Sequence, residues 1–154
     1  MNPGLTVLAV DDSSAIRNLL RAVLEAARHH AVLAGDVPAG LELLASIRPD
    51  VILSDFNMPE LTGEDFVRHV RADPENSDIP IFVISSERGL QTRARMAAAG
   101  ANGWIAKPMS PSELLRVLAT VRPVHVRADP SAIHRHNALH RERWHPEIAG
   151  LAWS

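Results

Sequence analysis

The sequence predicts an α/β fold: a doubly wound, five-stranded parallel sheet between two layers of helices, a three-layer sandwich followed by a C-terminal extension. Three features predict it. Short apolar runs alternate with amphipathic helical stretches five times along the chain. Several of the runs are nearly continuous in apolar residues, the pattern of strands covered on both faces. The connections between elements are short, which favours parallel strands joined by helical crossovers.

The elements follow in order. "LTVLAV" (5–10) reads as the first strand. After "DDSS", the residues Ile16, Leu19, Leu20, Val23 and Leu24 fall on one apolar stripe of a helix. "AVLA" (31–34) is a weaker second strand, and Leu41, Leu44, Ala45 and Ile47 mark a second helix opening near Pro38, a residue tolerated in a first turn. "VILSD" (51–55) is the third strand, short and β-branched at its start. Phe66, Val67 and Val70 belong to a third helix, broken by "ADPENSD". "IPIFVISS" (79–86) is the fourth strand, and residues 90–99 form a helix closed by Gly100, a residue favoured just past a helix end. "GWIA" (103–106) is a brief fifth strand. The last helix opens at "SPSE" (110–113), where Ser110 can cap, Pro111 fits the first turn and Glu113 can complete a capping box. Its Leu114, Leu115 and Leu118 face inward.

Composition narrows the function. The 154 residues suffice for one domain with about thirty to spare, and 46% apolar content supports a proper core. A net charge of -2 predicts no general affinity for nucleic acid or anionic membrane. The absence of cysteine excludes disulfides, thiolate catalysis and Cys-ligated zinc. No apolar run approaches the roughly 18 residues of a membrane span, and no basic segment precedes the apolar N-terminal run, so a cytoplasmic protein is expected. Residues 1–122 carry 12 basic and 15 acidic side chains, whereas 123–154 carry 4 and 3 plus five of the eight histidines. That shift marks a domain over 1–122 and an extension over 123–154.

In folds of this class ligands sit at the carboxyl ends of the strands. Asp11 and Asp12 follow the first predicted strand, Asp55 ends the third, Ser85 comes at the end of the fourth and Lys107 follows the fifth. Singly, each has an ordinary explanation: helix cap, turn residue, surface charge. Together they bring three carboxylates, a hydroxyl and an ammonium to one rim. Crowded carboxylates repel unless a cation shares their charge. An all-oxygen donor set suits Mg2+, which takes only one or two protein carboxylates and leaves another free to act as a nucleophile.

The combination "VDD" (10–12), "DFNMPELTG" (55–63), "ISSE" (84–87) and "GWIAKP" (103–108) resembles the receiver domains of two-component response regulators over residues 5 to 122. Asn57, Glu87 and the large aromatic at 104 make it look most like the single-domain chemotaxis regulators. The resemblance implies a flavodoxin-like sheet in the order 2-1-3-4-5. It implies Asp55 as phosphoacceptor, fed by a histidine kinase or phosphotransfer protein. Mg2+ would be held by Asp11, Asp12, Asp55 and the backbone carbonyl of Asn57. Lys107 would pair with the phosphoryl oxygens, with a cis peptide to Pro108, and Ser85 would hydrogen-bond the phosphoryl group. Trp104 would take the place of the switch aromatic, and Asn57 and Glu87 would tune dephosphorylation. A downstream protein effector would read the fourth helix, fifth strand and fifth helix. Two departures are visible: Ser85 lacks the methyl of the more common Thr, and Trp104 exceeds the usual Tyr or Phe, so incomplete burial of its ring is expected.

The extension is too short for a DNA-binding output domain and shows no helix-turn-helix pattern. Ser131 could cap a helix running to Arg143, placing His136 and His140 four apart on one face, a spacing able to share a metal but lacking a third ligand. Trp144, Leu151 and Trp153 point to docking on the receiver or on a second copy. Alternatives are thus a homodimer, formed through the extension or the face of the last two helices, and a longer regulator with its output domain elsewhere. An aspartyl-phosphate phosphatase is a third, although it would want an Asp where Asn57 stands. A nucleotide-binding module would need a glycine-rich phosphate loop, which follows no strand.

Overall fold

The computed structural model describes residues 4–123, which form β1 (Thr6–Val10), α1 (Ser14–Ala26), β2 (His30–Ala34), α2 (Val37–Ser46), β3 (Val51–Asp55), α3 (Gly63–Ala72), β4 (Ile81–Ser85), α4 (Leu90–Ala99), β5 (Gly103–Ala106) and α5 (Pro111–Leu118). A 3-10 turn, Pro74–Asn76, follows α3 inside the stretch that breaks it. The readings placed on residues 124–154, the Ser131 helix and the His136 and His140 pair among them, lie outside the described residues.

The five strands are all parallel and run in the order β2-β1-β3-β4-β5, as the resemblance implied. The order reverses beside β1: the chain moves outward to β2, then returns to build β3, β4 and β5 on the other side. Such a reversal leaves a crevice at the carboxyl ends of β1 and β3, because the two following connections diverge to opposite faces.

Successive side chains in a strand point to opposite faces, so each strand feeds two cores. Leu8, Val10, Ile52, Val83 and Trp104 pack with Val37, Leu44, Phe66, Val67, Val70, Met96 and Ala99 of α2, α3 and α4. Val7, Ala9, Val51, Leu53, Phe82, Ile84 and Ile105 pack with Leu20, Leu24, Leu114 and Leu118 of α1 and α5. Burial on both faces is what the nearly continuous apolar runs require.

Local signals explain most boundaries. Ser13 caps α1, its hydroxyl accepting from the Ile16 N–H at 3.2 Å. Asp36 caps α2, so that helix starts at Val37 with Pro38 inside its first turn. The fourth strand is shorter than its apolar run, because Pro80 has no N–H to give a ladder. Ser110 accepts from the Glu113 N–H at 3.4 Å, which is the Ser110 half of the box expected there. The reciprocal capping box belongs instead to α3, between Thr62 and Asp65. Its hydrogen bonds hold the Asp65 carboxyl below the usual carboxylate range, the Thr62 backbone N–H foremost.

Gly100 ends α4 at φ 117°, a conformation that favours glycine. Arg71, at the end of α3, crosses to this corner. Its guanidinium donates to the carbonyls of Gly100 (2.9 Å) and Asn76 (3.0 Å) and to Asn102 Oδ1 (2.8 Å). Asn102 Oδ1 also accepts from the Ile81 N–H at 2.9 Å, so one side chain joins α3, α4, β4 and the approach to β5. Burial pulls the Arg71 pKa down to about 10 against the opposing pull of Asp78, and the cation persists at neutral pH.

Candidate functional site

Register assembles the rim. Val10 pairs with Ser54, so the next residues, Asp11 and Asp55, leave neighbouring strands side by side. Ser85 pairs with Ala106, so Lys107 emerges just beyond the end of β4. The Lys107 N–H donates to the Ser85 carbonyl at 2.9 Å and prolongs that ladder, and the peptide between Lys107 and Pro108 is cis.

The charged groups converge as the strand-end argument required. Lys107 Nζ donates to Asp55 Oδ1 at 2.9 Å and, less closely, to Asp11 Oδ2 at 3.5 Å. Asp11 and Asp55 are buried while Asp12 is exposed, and one carboxylate oxygen from each of the three lies within 4.8 Å of the others. Neither acid of the Asp11–Asp12 pair serves as the cap of α1, since Ser13 does that; Asp11 Oδ1 instead accepts from the Ser13 N–H at 2.9 Å. The ordinary explanation of the pair as a helix cap therefore fails.

Burial raises the pKa of Asp55, the charges of Asp11 and Asp12 raise it further, and the Lys107 hydrogen bond and charge oppose them. Burial would lower Lys107, but the hydrogen bond and charge of Asp55, joined by Asp11, outweigh it and raise the ammonium's pKa. Lys107 contacts Asp11 and Asp55 but not Asp12, so the carboxylates outnumber the ammonium in a partly buried hollow. A divalent cation with oxygen preference matches both that deficit and the donor chemistry. The cluster is compatible with Mg2+.

The loop after β3 shapes one wall. The Pro59 carbonyl accepts from the Leu61 N–H at 2.8 Å, closing a three-residue turn about Glu60, whose φ is 68°. Gly63 then starts α3 directly against the end of β3. A Cβ there would collide with the Asp55 carbonyl oxygen and lie 2.9 Å from the Phe56 Cα. Only a residue without a Cβ lets α3 begin so close to β3.

Ser85 is 1% exposed at the end of β4, and its hydroxyl accepts from the Glu87 N–H at 3.0 Å. The side chains of Asn57 and Glu87 are exposed on the loops after β3 and β4. Trp104 departs from expectation: despite its size the ring is only 3% exposed. It fits because the α3–α4 side of the sheet leaves room beside Phe56, whose ring centroid lies 6.0 Å away at 43°.

Two side chains near the site were not legible beforehand. Arg17 Nη1 donates to the Asp11 carbonyl at 2.7 Å and so braces the acid pair from α1. Arg93 of α4 stands over the Trp104 ring, its guanidinium carbon 5.8 Å from the centroid. Both are surface-type residues in helical stretches, and no spacing rule singles them out.

Comparison with known proteins agrees with this geometry. The response regulator receiver domain family matches residues 7–119. The chemotaxis protein CheY1 of Helicobacter pylori (strain J99) is 36% identical over 119 residues, covering 76% of this chain and 96% of the relative. A solved structure of the chemotaxis protein CheY4 from Vibrio cholerae superposes with a TM-score of 0.74 at 37% identity, over 77% of this chain and 98% of that one. The receiver domain of the sensor histidine kinase PA1611 from Pseudomonas aeruginosa, solved with a magnesium ion coordinated in the active site cleft, gives a TM-score of 0.69 at 28% identity, over 75% of this chain and 94% of that one.

Proposed function

The chain belongs to the response regulator receiver domain family of two-component signalling, and we propose that it acts as a phosphorylation-dependent switch with Asp55 as the phosphoacceptor. The observation that carries this reading is the 2.9 Å contact of Lys107 with Asp55 inside the acidic cluster. A carboxylate held at a strand mouth by a single ammonium is a nucleophile whose product, an acyl phosphate, finds a cation already in place.

In the proposed reaction, an ionised Asp55 oxygen attacks the phosphorus of a phosphohistidine on a histidine kinase or phosphotransfer protein in the cytoplasm. The new O–P bond forms as the N–P bond breaks, and the imidazole leaves with the electron pair. The ionised form needs no general base to attack. Asp11, Asp12, Asp55 and the backbone carbonyl of Asn57 would hold Mg2+, which would supply charge neutralisation for the phosphoryl oxygens. Lys107 orients the same oxygens and shares their charge. Asn57 and Glu87, exposed on the loops after β3 and β4, would tune the rate at which water removes the phosphoryl group.

Output follows from Ser85 and Trp104. The phosphoryl group recruits the Ser85 hydroxyl and draws on the loop after β4, whose Glu87 N–H is bonded to that same oxygen. A nearly complete reversal between two states requires about 5.5 kcal/mol of differential stabilisation. One charge-assisted hydrogen bond gives about 1.5–3 kcal/mol, so Lys107 and a change in the packing of Trp104, whose ring is already buried here, must contribute the remainder. The face made by α4, β5 and α5 would present the change to a protein effector. Intact mass after treatment with acetyl phosphate and magnesium tests the assignment: one phosphoryl adduct is expected in the wild type and none in Asp55→Asn. An adduct in both would mean that another residue accepts the group.

A further inference from the structure

The two ends of α4 are held differently. At its C-terminal end the Gly100 carbonyl is tied to Arg71. At its N-terminal end Gly89 makes no side-chain capping bond, and residues 86–90 are all exposed, with Leu90 at 83%. Besides the ion pair of exposed Arg95 with Glu64 of α3 at 2.8 Å, the contacts of its first turn decide where the N-terminal half of α4 sits.

Arg93, in the first turn of α4, supplies such a hold. Its guanidinium carbon lies 5.8 Å from the centre of the buried Trp104 ring. Its Nε is buried and has no hydrogen-bond partner among the described residues. A buried N–H without an acceptor is unfavourable unless another interaction offsets it. The negative face of an indole does so, Trp being the strongest partner for a cation of this kind, and the planar guanidinium suits it better than an ammonium.

We propose that Arg93 is a positioning residue of the switch: its guanidinium holds the Trp104 ring in its buried place and thereby couples the position of α4 to the side-chain rotamer of β5. An outward turn of Trp104 would leave the Arg93 cation facing a void. An outward swing of α4 would strip the indole of its cover. The two movements therefore occur together, and a message arriving at Ser85 reaches β5 and the start of α4 as one event. The consequence for signalling rests on the phosphorylation reading above, whereas the contact itself does not.

The test uses the full chain with Trp144→Phe and Trp153→Phe, so that Trp104 is the sole tryptophan of the three. Acrylamide quenching is measured first without any phosphoryl donor. The ring is expected to be best shielded with Arg93, less with Arg93→Lys and least with Arg93→Met, the ratio of buried to exposed ring falling roughly fivefold in the last. Equal shielding in all three proteins overturns the proposal. So does equal loss in Arg93→Lys and Arg93→Met, which would make the contact simple packing. The same proteins are then phosphorylated with acetyl phosphate and magnesium, and the fluorescence change per mole of adduct should differ between Arg93 and Arg93→Met. An unchanged response overturns the coupling. Absence of any adduct at Asp55 would instead defeat the phosphorylation reading and leave the quenching result intact.

Discussion

The Lys107 ammonium lies 2.9 Å from Asp55 Oδ1 across 52 residues of sequence, and the same nitrogen reaches Asp11 Oδ2 at 3.5 Å. One cation thus spans the ends of β1, β3 and β5. Replacing it with an apolar side chain of similar length leaves the acids to repel one another and removes the donor that the proposed reaction places on the transferring group. Lys107→Met is expected to slow phosphorylation by acetyl phosphate about 10²-fold at saturating magnesium. Single-turnover adduct formation, followed by mass, measures this. Lys107→Arg should recover little, because a planar fork does not fill the place of a compact point charge.

Magnesium should stabilise the fold. Binding only to the native cluster, it would add about 2.7 kcal/mol at a concentration 100 times its dissociation constant. Thermal melts with and without the ion should show this in the wild type and lose it in Asp11→Ala. Asp55→Asn should melt higher than the wild type in chelator, since it removes a carboxylate whose ionisation burial and two acidic neighbours already oppose.

Gly63→Ala tests the close start of α3. The added methyl meets the Asp55 carbonyl and the Phe56 Cα, which are backbone and cannot rotate away. Overpacking of this kind costs about 1–3 kcal/mol. Because the displaced atoms carry Asp55, the phosphorylation rate should fall as well, while Gly89→Ala, where the nearest atom is Thr92 Oγ1 at 3.8 Å, should change neither chemical denaturation nor rate appreciably.

His29 predicts a pH dependence remote from the site. Its Nδ1 accepts from the Leu5 N–H at 3.0 Å, which requires that nitrogen to be unprotonated. Burial lowers its pKa from 6.5, against the raising influence of Asp50. The unfolded chain therefore takes up this proton first as pH falls. The contribution is fully present above 6.5 and is lost as pH drops through the lower folded value. Denaturant midpoints at about pH 7.5 and about pH 5.5 should differ more for the wild type than for His29→Gln, which cannot titrate. Equal differences would remove His29 as the cause.

Much of this was legible in advance for specific reasons. The strand "VILSD" matched β3 because a short run buried on both faces must be apolar throughout, and Gly100 ended α4 because few residues adopt φ 117°. Local detail was missed where side chains bond to nearby backbone: the 3-10 turn at Pro74–Asn76 lay inside a polar stretch read only as a break, and the reciprocal capping box fell on Thr62 and Asp65 rather than at Ser110. The incomplete burial expected of Trp104 failed because a pocket's volume depends on elements remote in the chain.

By itself the sequence determined the alternation of strands and helices, both apolar faces and the chemistry waiting at each strand end, since these depend on residue type and on periods of a few residues. Only the tertiary structure decided that Ser13 rather than an aspartate caps α1, that Arg17 braces Asp11, that Arg71 ties α3 to the end of α4, and that Arg93 covers Trp104. Those contacts join side chains whose partners are brought near by register and crossover, and long polar side chains carry no periodic signal of where they reach.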